Sequence, residues 1–315
     1  MRIYAIGDIH GQLALLKAAH ARIAQDDAAH GGDGVIVHVG DLLDRGPDSR
    51  GVVDHLMQGQ AEGRPWIVLR GNHDRFLPRF ARQPDWIDAG LSSGEHWLDH
   101  PGLGAAETLT SYGIDFDGDH DRTHAEVLRL VPEAHLRWLE TLPLWHLTPQ
   151  ALFVHAGIRP GVDLSRQTEH DLVWIRKGFL DDSTDHGPLV VHGHTVVDQV
   201  THFGNRLAID TGAAYGGPLS AVVFDAEGLH LLGADGQTLA TIENKPGQTG
   251  SLVVYAALAA LYGGQITPAA ASLGLEWYAE HVADARAFPG KHPNIDRLLA
   301  WAQGSESFAV RTVAA

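Results

Sequence analysis

Five short polar clusters stand at the ends of apolar runs: Gly7-Asp8-Ile9-His10-Gly11, Gly40-Asp41 with Asp44-Arg45-Gly46, Gly71-Asn72-His73-Asp74, Val154-His155-Ala156-Gly157 and His192-Gly193-His194-Thr195. Carboxylates, imidazoles and an amide oxygen are the donor set of a metal site with N and O ligands. One such cluster is explained by Asp or Asn capping a helix. Five in succession are not, because buried carboxylates are costly unless they are paired or bind metal. The residues are therefore read as one metal centre assembled from several strand ends.

The elements that would position them are legible as alternating patterns. Strand MRIYAIGD, helix LALLKAAHARIAQ, strand GVIVHVGD, helix SRGVVDHLMQG and strand PWIVLRGN follow one another in the first 75 residues. Apolar strands separated by helical patterns predict parallel crossover units, which gather functional groups at the carboxyl ends of the strands. Residues 76–150 are read as a mostly helical, cap-like insertion in which WLDHPGLGAAETLTSYG is loop and helix. Strands resume with ALFVHAG, PLVVHGHT, RLAIDTG and LSAVVFD. Past residue 236 the chain turns polar and turn-rich, then shows two or three helical patterns and a terminal strand, SFAVRTV, so a second domain is expected over 237–315.

Composition narrows the partners. At 315 residues, with 44% hydrophobic and 20% charged residues, the chain has the make-up of a folded soluble protein. Its formal net charge of −16 argues against holding nucleic acid by phosphate neutralisation. An anionic substrate needs local positive charge, and bound metal ions are one source. There is no cysteine, which excludes disulfides and thiolate zinc sites, whereas 21 histidines supply imidazole in quantity. MRIYAIGDIHG enters a strand directly, and the apolar stretch SLVVYAALAALYG is too short to span a bilayer, so a cytoplasmic location without membrane contact is expected.

GDIHG, GDLLDRG, GNHD, VHAG and VHGHT, in that order, resemble the calcineurin-like metallophosphoesterase superfamily. The Arg of GDLLDRG and the DLVWIR segment resemble its phosphoprotein phosphatase branch, and ETLTSYG, QTEHDLVWIRKGFL and IDTGAAYGG resemble bacterial members; the likeness spans about residues 1–225. It implies an α/β fold, a metallophosphoesterase-type β-sandwich flanked by helices, followed here by a small α+β C-terminal domain. It also implies two divalent metal ions: Asp8 and His10 on one, Asn72, His155 and His194 on the other, and Asp41 bridging both. Manganese is the first choice, with iron or zinc as alternatives. The implied reaction is in-line attack on phosphorus by a metal-bridging hydroxide. Arg45 and Arg176 would grip the phosphate, and His73 would protonate the leaving group while Asp44 holds its other ring nitrogen. Asp74 stands where many members have Glu, a change expected to matter little to the chemistry.

Simpler roles are expected elsewhere. His38 is read as a satisfied core histidine, His192 as packing beside the ligand His194, and Trp86, Trp97, Trp138 and Trp145 as core. Asp210 and Tyr215 lie in a glycine-rich turn that explains itself without a role in the chemistry. ENKPGQTGSL and PGKHPNIDRLL resemble a small bacterial domain of unknown function, with His281 and His292 read as packing or capping residues; regulation, dimerisation and substrate recruitment all stay open for it. The reading that results is a hydrolase of phosphorylated proteins or small phosphoesters, foremost a serine/threonine protein phosphatase that also admits phosphotyrosine. A symmetrical bis(5'-nucleosyl)-tetraphosphatase and a non-catalytic metal-bound scaffold are the rivals.

Overall fold

The computed structural model describes residues 2–224, 228–232, 238–242, 249–262, 264–279 and 281–313. The boundary expected near residue 236 lies outside the described residues. In chain order the N-terminal part runs β1 (Ile3–Ile6), α1 (Leu13–Ala29), β2 (Val35–His38), α2 (Ser49–Ala61), β3 (Trp66–Val68), α3 (Phe76–Arg82), α4 (Ala105–Ser111), α5 (His120–Leu130) and α6 (Glu133–Thr141). It continues with β4 (Trp145–Leu147), β5 (Ala151–Val154), α7 (Glu169–Trp174), β6 (Leu189–His192), β7 (Thr201–His202), β8 (Arg206–Ala208) and β9 (Ala221–Phe224). The remainder comprises β10 (Gly228–Leu232), β11 (Thr238–Ile242), α8 (Thr249–Leu261), β12 (Gln265–Ile266), α9 (Pro268–Tyr278), α10 (His281–Ala287), α11 (Pro293–Ala302) and β13 (Phe308–Val313).

The strands form two facing sheets, β3-β2-β1-β9 and β4-β5-β6-β8-β7, and a separate C-terminal sheet, β11-β10-β13-β12. β1, β2 and β3 pair in parallel, as do β5, β6 and β8, while β9, β4 and β7 are antiparallel additions at the edges. The central strands are continuous apolar runs because both of their faces are covered. Ile3, Ala5, Val37 and Leu69 of one sheet meet Phe153, Val191 and Leu207 of the other. Parallel strands on both sides of this sandwich bring their carboxyl ends to one rim.

On the outer face of the first sheet, α1 buries Leu16, Ala19, His20 and Ile23, a helical stripe. Asp48 starts α2 by accepting the Gly51 N–H at 2.8 Å. The insertion packs into this same core: Phe80, Trp97, Leu109 and Leu136 belong to one cluster with Leu42, Val52 and Leu56. Trp97 is fully core and Trp86 and Trp138 pack against it, but Trp145 is 39% exposed. It sits on the short edge strand β4, whose outer side has no neighbour to cover it. The C-terminal part has its own cluster, in which Tyr255, Leu258, Ala271 and Leu298 join α8, α9 and α11.

His38 does not stand alone. Its Nδ1–H donates to the Ile67 carbonyl at 3.1 Å, its Nε2 accepts from His20 Nε2–H at 2.8 Å, and His20 Nδ1 accepts from His55 Nε2–H at 3.0 Å. This chain of bonds is complete only when His38 and His20, which each accept through a ring nitrogen, are neutral. Burial lowers the pKa of His38 to about 4 and that of His20 to about 2. Unfolded histidine titrates near about 6.5, so below that pH the unfolded chain binds more protons and acid removes stability. Urea unfolding of the first transition should therefore weaken as the pH falls from 6.5 towards 4. His20→Phe, which keeps the stacking on Trp66, should make that slope shallower by about 1.4 kcal/mol per pH unit. An unchanged slope would contradict the neutral chain.

Candidate metal centre

Asp8 and His10 follow β1, Asp41 follows β2, Asn72 follows β3, His155 follows β5 and His194 follows β6. The turns that aim them inward are strained. His10, Asp41, Asp44, Arg45 and His194 hold φ between +45° and +69°, and among the described residues Ala279 is the one other non-glycine residue at positive φ. Each such residue costs about 1 kcal/mol or more, which the surrounding structure must offset. Part of that structure is Asp74. Its carboxylate accepts the N–H groups of Leu42 at 2.8 Å, Leu43 at 3.3 Å and Gly71 at 2.7 Å, tying the turn after β2 to the turn after β3. Burial and the nearby Asp41 raise its pKa to about 7. Asp74 thus points away from the ligand cluster into backbone.

Asp41 lies at the middle of the cluster. Oδ2 is 3.4 Å from His10 Nε2 and Oδ1 is 3.3 Å from His155 Nε2, with the His73 N–H donating to Oδ1 at 3.0 Å. Burial opposes a charge on Asp41, but the imidazoles of His155, His73 and His10 outweigh it and hold the carboxyl well below its usual range. The histidine tautomers are set from behind. His10 Nδ1–H donates to the Leu43 carbonyl at 2.8 Å and His155 Nδ1–H to the Val39 carbonyl at 3.0 Å, so each neutral ring presents the Nε2 lone pair to the cluster.

The donor set fits metal ions. His155 Nε2 faces Asn72 Oδ1 at 3.0 Å as well as Asp41, so with the ring neutral three acceptors converge, an arrangement a cation among them would make favourable. Asp8 Oδ1 and His194 Nε2 are buried without a partner among the described residues. Burial, then Asp210 and Asp41, push the Asp8 carboxyl well up, and a cation beside it would restore its charge. His10, Asp41 and His73 form one group with converging ligand atoms, and Asp41, His155 and His194 form another. Asp41 belongs to both. His192 turns elsewhere: its Nδ1–H donates to the Gly193 carbonyl and its ring packs on Phe179.

Beside the cluster lies a dyad. His73 Nδ1 and Asp44 Oδ2 are 2.8 Å apart, both side chains buried. Thr108 Oγ1–H donates to Asp44 Oδ1 at 2.7 Å and Trp97 Nε1–H to Oδ2 at 3.2 Å, while the Asp44 N–H is met by Thr108 Oγ1 at 2.9 Å and Ser49 Oγ at 3.1 Å. Burial pushes Asp44 up and His73 down, to about 3, so the pair is net neutral and shares one proton. The bonds from Thr108 and Trp97 lower the Asp44 carboxyl in part and favour its charged form, the form that would hold His73 as an imidazolium. Thr108 and Trp97 carry no role in the sequence reading, although Thr108 lies within the ETLTSYG stretch.

The two arginines reach the same rim. Arg45 donates through Nη1 to His10 Nε2 at 2.9 Å and through Nε to the Gly102 carbonyl at 3.2 Å, and its guanidinium lies 5.3 Å from the ring of Tyr215, which is 67% exposed. Arg176 Nη2 donates to the His194 carbonyl at 3.3 Å from the exposed side. Asp210 is buried behind, accepting the Gly212 N–H at 3.0 Å. A further group, His96, Asp99 and His120, lies in the insertion. Its His96 has both ring nitrogens engaged, by the Pro84 carbonyl and the Leu98 N–H. Among the described residues no helix is long and apolar enough to cross a membrane.

Residues 1–224 match the calcineurin-like phosphoesterase family, and residues 221–312 match a family described as an uncharacterized protein conserved in bacteria, DUF2322. The chain is similar to serine/threonine-protein phosphatase 1 of Salmonella typhimurium, 27% identical over 227 residues that cover 69% of this chain and 89% of that protein. It is also similar to the asymmetrical bis(5'-nucleosyl)-tetraphosphatase PrpE of Bacillus anthracis, 23% identical over 244 residues, 70% of this chain and 90% of that protein. That relative is of the asymmetrical kind, whereas the sequence reading raised the symmetrical one. Among solved structures it resembles the cold-active protein-tyrosine phosphatase of a psychrophilic Shewanella species, with a TM-score of 0.45, 14% identity, and coverage of 71% of this chain and 75% of that one.

Gly193 tests the fit of the donor set. A Cβ there would collide with Asp8 Oδ1, and its φ is not in the left-handed region, so alanine is tolerated by the backbone. Gly193→Ala should lower the manganese bound after loading and dialysis from about two ions per chain to about one, read by elemental analysis. Two ions retained by the variant would remove Asp8 from the centre.

Proposed function

Because the chain belongs to the calcineurin-like phosphoesterase family, we propose that it is a dinuclear metal-dependent phosphomonoesterase acting on serine/threonine phosphoproteins, with phosphotyrosine as a further substrate. Asp8 and His10 would hold one ion, Asn72, His155 and His194 the other, and Asp41 both. The carboxylate, amide and imidazole donors suit manganese, iron or zinc, and manganese is the proposed occupant. When bound, the metals supply Lewis acidity towards the phosphoryl oxygens and a water of lowered pKa.

The chain's own residues do the rest. Arg45 and Arg176 bring guanidinium forks to the rim, where they orient the phosphate and offset charge on its equatorial oxygens. His73 donates the proton of its Nε2 to the leaving oxygen, and Asp44 keeps the ring in the tautomer and orientation for that transfer. The proton moves from imidazolium to the departing oxygen as the phosphorus–oxygen bond breaks, leaving His73 neutral.

The observation that carries the choice of substrate is the support given to this acid: Asp44 is gripped by Thr108, Trp97 and Ser49. An alkoxide needs a proton as it leaves far more than the phosphate group that departs from a dinucleoside tetraphosphate. A well-held general acid therefore favours serine and threonine phosphoesters. Dinucleoside tetraphosphate cleavage is the second reading, supported by the Bacillus relative. A catalytically retired scaffold would have no chemical need for either the acid or the arginines.

Two measurements separate these readings. His73→Asn should cut turnover of an alkyl phosphate by about 10²- to 10⁴-fold while costing p-nitrophenyl phosphate far less, because nitrophenolate leaves unaided. Equal losses on both substrates would remove the acid role. Assayed side by side, phosphoserine peptides should be cleaved in preference to diadenosine tetraphosphate; the reverse preference would establish the second reading.

A further inference from the structure

The first turns of two helices, Gly250 and Ser251 of α8 and Asn294 and Ile295 of α11, line one cavity of about 340 Å³ where the C-terminal part meets the sandwich. Helix N-termini present unpaired N–H groups and the positive end of the helix dipole. At α11 the preceding His292 makes no side-chain cap. Its Nε2 instead meets Asp284 at 2.5 Å, and Lys291 meets the same carboxylate at 2.9 Å, so an imidazole and an ammonium share one acid beside the cavity. Asp185 also lines the cavity, its Oδ1 occupied by the Gly187 N–H at 2.8 Å.

An independent signal comes from the opposite wall. His202 on β7 is 3% exposed, and its Nδ1 accepts the Gly204 N–H at 3.0 Å. Burial, then His281 and Arg206, lower its pKa to about 3, so the ring is neutral and its hydrogen sits on Nε2. That buried Nε2–H has no acceptor among the described residues. It faces the first turn of α8, where a Cβ on Gly250 would come within 2.6 Å of it. Leaving such a donor unpaired is costly, and an incoming acceptor would recover that cost. Nearby Asn205 commits its Nδ2 to the carbonyls of Asp182 and Thr184, while its buried Oδ1 has no donor among the described residues.

We propose that this cavity is a second anion site, separate from the metal centre, which binds a small hydroxyl-bearing phosphate compound. The phosphate sits at the start of α8 against His202 Nε2–H, and a hydroxyl of the ligand donates to Asn205 Oδ1. The volume exceeds what a bare phosphate fills, and Pro188, Leu189 and Ile295 give the organic body an apolar wall.

Equilibrium dialysis of the manganese-loaded full chain against inorganic phosphate tests the site. Two phosphates should bind per chain. Gly250→Val, which fills the position beside His202, and Lys291→Glu, on the exposed mouth, should each bind one, with hydrolysis of p-nitrophenyl phosphate kept within about twofold. Arg45→Ala should lose the other phosphate instead. A single phosphate on the unaltered protein, or two on both Gly250→Val and Lys291→Glu, would overturn the proposal. Hydroxyethylphosphonate, which resists hydrolysis, should displace phosphate from the site retained in Arg45→Ala at lower concentration than phosphate itself; weaker displacement would overturn the hydroxyl contact.

Discussion

The buried carboxylate of Asp41 is the interaction on which the rest depends. It stands at the end of β2 with φ at +50°, receives the His73 backbone N–H, and lies between His10 and His155. A charge in that position is tolerable only where positive groups and fixed dipoles compensate it. The two-sheet sandwich surrounds it with the donors that would hold such a charge. Strand ends from one sheet supply Asp8, His10 and Asn72, ends from the other supply His155 and His194, and the inter-sheet core fixes the distance between the two sets. The strain in the turns and the brace from Asp74 follow from the same demand.

The dyad shows how the insertion serves the site. Asp44 is held by a tryptophan and a threonine from 53 and 64 residues downstream, so the helices of 76–150 are coupled to the proposed acid although they supply no metal ligand. A carboxylate with donors on both oxygens cannot turn away from His73, and that ring in turn stands nearly perpendicular to His10 at 4.8 Å between centroids. Packing of that insertion into the α1–α2 core is thus part of the chemistry, because loosening it would release Asp44 before it disturbed any metal ligand.

Much of this was legible in the sequence because apolar β-runs ending in glycine and acid announce both the strand and the group it carries. The proposed ligand residues, Asp44 and Arg45 stand out in that way, and the structure brings them to one rim. What stayed hidden has physical reasons. β4, β7 and β12 are two or three residues long and too short for any period to register. β11 sits in a turn-rich stretch whose composition outweighed its strand signal, and β10 lies between that stretch and the last strand read before it. Thr108 and Trp97 act at long sequence separation through single hydrogen bonds, which leave no local pattern. Trp145 was expected in the core from its type alone, but an edge strand leaves it half in solvent. His202 is a single histidine on a two-residue strand, and its unpaired N–H exists only because the C-terminal helices close over it.

Anomalous scattering at the manganese edge, from crystals of the manganese-loaded full chain, tests the central claim most directly. The account predicts two peaks about 3.5–4 Å apart that share the Asp41 carboxylate, one beside Asp8 and His10 and the other beside Asn72, His155 and His194. A single peak, or peaks that do not touch Asp41, would contradict it.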